Sequence, residues 1–82
     1  MIMSNASNDL FATSDTPLAA FLYASGVHLV ELDRSNPQRI AFIFDPPEAE
    51  LLASWQKATA TINVRAFWSA LQELKARLTR DE

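Results

Sequence analysis

Cysteine is absent from the 82-residue chain, which excludes a disulfide framework, thiolate metal sites and a cysteine nucleophile. One glycine and one histidine exclude a glycine-rich phosphate loop and a histidine-built metal cage. Positive charge is not in surplus either, since seven bases stand against ten acids for a net charge of −3. Sequence-independent duplex binding normally rests on excess Lys and Arg that displace counterions. No apolar run approaches the roughly 20 residues that span a bilayer. Met1 to Asn8 has no basic start and no long apolar stretch, so it does not read as a signal peptide. A cysteine-free chain of this kind is expected in the cytoplasm, away from membranes.

Apolar side chains make up 49% of the residues. Leu, Ile, Val and Phe number 22 of the 82, above the roughly one-fifth level associated with disorder. The length fits one domain, expected over residues 9–80 behind a Ser- and Asn-rich leader at 1–8. So short a chain buries only about 60–65% of its unfolded surface, which leaves a thin stability margin.

Leu10-Phe11-Ala12-Thr13 reads as a short strand. Ser14-Asp15-Thr16-Pro17 then starts a helix, with Asp15 or Thr16 as cap and Pro17 in the first turn, where its missing N–H costs nothing. Leu18, Phe21, Leu22 and Ser25 follow at helical spacing, and Gly26 supplies the left-handed stop. Two strands, from Val27 to Asp33 and from Arg39 to Asp45, flank the turn Arg34-Ser35-Asn36-Pro37-Gln38. The second carries Ile40-Ala41-Phe42-Ile43-Phe44, which is apolar on both faces. Such a strand is central and covered twice, or its second face meets another chain.

Asp45-Pro46-Pro47-Glu48 resembles a capping box with Asp45 as cap. The helix after it is expected to bury Leu51, Leu52, Trp55 and Ala58. Ala60-Thr61-Ile62 either adds a fourth edge strand or bridges. Asn63 caps a last helix, with Ile62 and Phe67 at the spacing of a hydrophobic staple. Val64, Phe67, Leu71, Leu74 and Leu78 form its apolar stripe, Trp68 beside it. The order is β-α-β-β-α-(β)-α, an α+β fold with a largely antiparallel sheet of three or four strands and three helices.

The segments Phe11-Ala12-Thr13-Ser14-Asp15, Leu18-Ala19-Ala20-Phe21-Leu22 and Gly26-Val27 form a recognisable set. With them go Arg39-Ile40-Ala41-Phe42-Ile43-Phe44-Asp45, Phe67-Trp68 and Leu71-Gln72-Glu73-Leu74-Lys75. Together they resemble a small family of domains of unknown function found in bacteria and their phages, over nearly the whole chain from Asp9 to Leu78. The resemblance implies this element order and a bacterial or phage setting. It brings no catalytic residues and no activity.

The residues able to carry chemistry are few. His28 sits on a strand, and a catalytic role needs an oriented carboxylate; Glu31 on the same strand faces the other way. Asp15, Asp33 and Asp45 end predicted elements, where capping explains acids without a metal. Ser14, Ser25, Ser54 and Ser69 lie in no nucleophile elbow. Catalytic residues, metal ligands and cofactors are therefore not expected. A protein-interaction module is, most simply a homodimer using Ala41, Ile43, Val27, Leu29 and Trp68, with a further protein partner left unidentified. The alternative is nucleic-acid binding through Arg34, Arg39 and Arg65, beside Phe11, Phe42 and Phe44 if those rings face solvent.

Overall fold

Caps and prolines decide where each helix starts. The computed structural model describes residues 10–79, so the expected leader lies outside the described residues. In chain order the elements are β1 (Phe11–Thr13), α1 (Thr16–Ala24), β2 (Leu29–Asp33), β3 (Ala41–Phe44), α2 (Ala49–Gln56) and α3 (Val64–Thr79). The α+β class and the single antiparallel sheet are those expected from the sequence.

Asp15 caps α1, its carboxylate accepting the Leu18 N–H at 3.3 Å. Asn63 caps α3 in the same way, accepting the Ala66 N–H at 2.9 Å. Gly26, at φ +97°, ends α1. The Val27 N–H bonds the Leu22 carbonyl and the Gly26 N–H that of Tyr23, the paired bonds of a Schellman close.

The start and end of α2 differ from expectation. Its N-cap is Glu48, which makes no side-chain cap bond, and the Asp45 N–H instead donates to the His28 carbonyl. Pro47 is the reason: a residue preceding proline is pushed out of the helical region, so Pro46 cannot open the helix. At the other end Ala58 is exposed and lies past the helix, at φ +61°. The Ala58 and Thr59 N–H groups bond the carbonyls of Trp55 and Ser54. This is a second Schellman close, with alanine in the position glycine usually takes. Ala60 to Ile62 bridges to α3 and forms no strand.

The sheet runs β1-β3-β2, antiparallel throughout. Phe42 and Phe44 point to one face and pack with Ala19, Ala20, Phe21 and Leu22 of α1 and Ala70 and Leu74 of α3 into one core. The alanines let α1 and α3 approach closely. Leu51, Leu52 and Trp55 of α2 pack on the same cluster, with the Trp55 ring 5.1 Å from that of Phe21. All three helices therefore pack with the Phe42/Phe44 side of the sheet. The shortest dimension of the molecule, 18 Å, is that of two layers.

Two residues assigned to the outer sheet face move inward. β2 carries one extra residue at Val30, so Leu29 stands opposite Phe44 while Glu31 stands opposite Ile43. This β-bulge reverses the alternation for everything before it. Leu29 packs against the core, and so does Val27. Val64 corrects the α3 stripe: it is 81% exposed, and the buried stripe begins at Phe67.

Candidate interaction surface

Partner registers define the face of the sheet that carries no helix among the described residues. Ala12 pairs with Ile43 from one side, Glu31 pairs with Ile43 from the other, and Asp33 pairs with Ala41. Ala41 and Ile43 are half-buried and stand outside the core cluster. Ala12, Glu31 and Asp33 are exposed. Leu10 and Val30 add apolar area, at 40% and 41% exposure. An apolar strip through Ala12, Ile43 and Ala41 thus runs beside two carboxylates on the β2 edge.

Those carboxylates differ. Asp33 accepts from the Ser35 N–H at 3.0 Å and from the Ser35 hydroxyl at 2.7 Å, which starts the loop between β2 and β3. The backbone bond first, and the hydroxyl second, hold its pKa below the usual aspartate value. Glu31 has no ion-pair partner among the described residues, whose salt bridge is Arg77 to Glu73 at 3.1 Å.

Trp68, expected in the same interface, belongs to the helix layer, across the sheet from Ile43. It is 59% exposed and lines an open depression with Asn63, Val64, Arg65 and Ser69. The helical spacing that leaves Trp68 off the buried stripe is visible in the sequence; its separation from the sheet strip is not.

The three arginines do not converge. The Arg34 guanidinium donates to the Arg77 carbonyl at 2.7 Å, closing one of the last carbonyls of α3. The Arg39 Nε donates to the Ser14 hydroxyl at 3.2 Å. Arg65 is exposed in the first turn of α3, about 18 Å of helix from Arg77 at 1.5 Å per residue. Phe42 and Phe44 are buried and Phe11 half-buried, so no stacking platform lies beside Arg34 or Arg39.

The remaining candidates have local structural work. His28 is exposed and its carbonyl takes the Asp45 N–H. Ser54 donates to the Leu51 carbonyl at 2.8 Å. Asp15, Asp33 and Asp45 do not come together, and no group of three His, Cys, Asp or Glu is placed to hold a metal among the described residues. No helix among them is long and apolar enough to cross a membrane. In comparisons with known proteins, the family described as a domain of unknown function (DUF5659) matches residues 8–80. No curated protein and no solved structure matches.

Proposed function

Because the chain belongs to the DUF5659 family of domains of unknown function, function has to be read from its surfaces, and we propose that it is a small protein-interaction module that self-associates through the open face of its sheet. The observation that carries this is Ile43 with Ala41 and Ala12: an apolar strip on a central strand whose other face already holds the whole helix layer. An apolar strip that no element of its own chain covers gains from being buried against another surface. The two-copy unit is the simplest product, and the domain needs no cofactor or chemistry of its own for it. A further protein partner, unidentified, belongs to the same reading. The bacterial or phage cytoplasm is the setting, supported by the sequence resemblance and the lack of cysteine.

A protein partner fits the bases better than a nucleic acid does. Arg34 is engaged on a helix end, Arg65 stands at the opposite end of that helix, and the sheet aromatics face inward. Sedimentation equilibrium of the full chain from about 10 to 500 μM, a range suited to small interfaces, tests the reading. A mass above one copy, lost in a folded Ile43→Asp variant, is expected. A monomer throughout that range refutes it. Tight, salt-sensitive binding of labelled oligonucleotides would favour the nucleic-acid alternative.

A further inference from the structure

Two apolar surfaces lie on different layers of the domain, and they carry opposite charge. On the sheet, Ile43 and Ala41 stand beside Glu31 and Asp33. On α3, Val64, Arg65 and Trp68 are exposed. Lys75, seven residues after Trp68 and also exposed, falls within about 20° of the same helical line at 3.6 residues per turn. The first turn of α3 holds no acid. Its Glu73 pairs with Arg77, about 140° around the helix from Trp68. Within one copy the core separates the two surfaces, so they meet only between copies.

Building on the self-association proposed above, we infer that the open sheet face of one copy is covered by the Val64–Trp68–Lys75 side of α3 from a second copy, head to tail. The sizes agree. From Val64 to Lys75 the helix runs about 16 Å. A strand of four or five residues covers about 13–17 Å, and three strands are about 10 Å across. On the inner side, Leu74 of α3 shares one cluster with Phe42 and Phe44. In this contact Arg65 stands against Glu31 and Lys75 beside Asp33, supplying the cations that those carboxylates lack, and Trp68 supplies the large aromatic that anchors interfaces. One helix side on a small sheet buries less than the roughly 800 Å² per partner of a standard interface, so the contact is weak. A heterologous contact leaves one surface of each kind free at the ends, so assembly continues past two copies unless a ring closes.

Sedimentation equilibrium of the full chain and its variants, each checked for native circular dichroism, decides it. The wild-type mass is expected to rise past two copies with concentration. Trp68→Ala, Arg65→Glu and Glu31→Lys should each weaken association about tenfold or more. The double variant Arg65→Glu with Glu31→Lys should recover most of it, because the pair is restored with its signs exchanged. A dimer that stops at two copies and ignores Trp68→Ala and Arg65→Glu, yet is lost in Ile43→Asp, overturns the head-to-tail contact and leaves self-association standing. Failure of the double variant to recover also overturns the contact. A wild-type monomer at every concentration overturns both.

Discussion

At the scale of single residues, two helix ends use the same closing geometry with different side chains. A Cβ at Gly26 would meet nothing within 4 Å, so Gly26→Ala should cost only the backbone penalty of a left-handed L-residue, about 1–2 kcal/mol. Ala58 already bears that penalty at φ +61°. Ala58→Gly should therefore stabilise by about 0.5–1 kcal/mol, the penalty relieved less the added freedom of the unfolded chain. Urea unfolding of both variants checks the opposite signs. Asp33 gives a pH effect. Its folded pKa lies below the reference value of 3.8 because Ser35 bonds the carboxylate. That stabilisation is complete above the unfolded pKa and is lost as pH falls through the folded one. Asp33→Asn should thus be less stable than wild type at pH 6, with the gap closing below about pH 4, as read from urea midpoints across that range.

At the scale of elements, caps rank by what their side chains bond. Asn63→Ala removes an acceptor from the Ala66 N–H and should cost about 1 kcal/mol; Asp45→Ala, at a position that is not the cap because Glu48 is the N-cap of α2, should cost far less. Thermal melts of the two variants measure the difference. The α3 stripe ranks by burial. Leu74 is fully buried and Leu71 only half-buried, so Leu74→Ala should reach the upper part of the 2–5 kcal/mol range for core truncations and Leu71→Ala the lower. In so small a domain the former approaches the whole folding free energy. The order and type of the elements were legible because caps, one glycine and a change of period mark them. Two boundaries were not. Pro46 matched a helix-opening proline until the effect of Pro47 on its backbone was counted. Ala58 continued an apolar spacing that says nothing of a left-handed stop.

At the scale of the whole molecule, sequence patterning located the apolar sheet strip but misassigned half of its members. Strict alternation put Val27 and Leu29 with Ala41 and Ile43, and one inserted residue at Val30 sent Leu29 to the other side. A bulge leaves no mark in a pattern of period two, because both faces of this hairpin carry apolar residues. Trp68 was legible as an exposed aromatic from its offset to the Phe67, Leu71, Leu74 and Leu78 stripe. Its remoteness from Ile43 was not, since that depends on which side of the sheet the helices choose. Arg34 looked like a free base, and only the packed structure brings the Arg77 carbonyl, 43 residues on, within 2.7 Å of it.

The strand order has a consequence for how the chain acquires its fold. β3, the middle strand, comes last of the three along the chain, so neither β1 nor β2 has a neighbour to bond until it has been made. The core closes later still, when Leu74 and Ala70 of α3 meet Phe42 and Phe44. During synthesis from the N-terminus, at about 5–20 residues per second, the first half of the domain is a helix and two unpaired strands. A chain released after α2 would leave Phe42, Phe44 and Leu22 exposed together, an aggregation-prone surface. The residues of the core are thus all present only once α3 has been made.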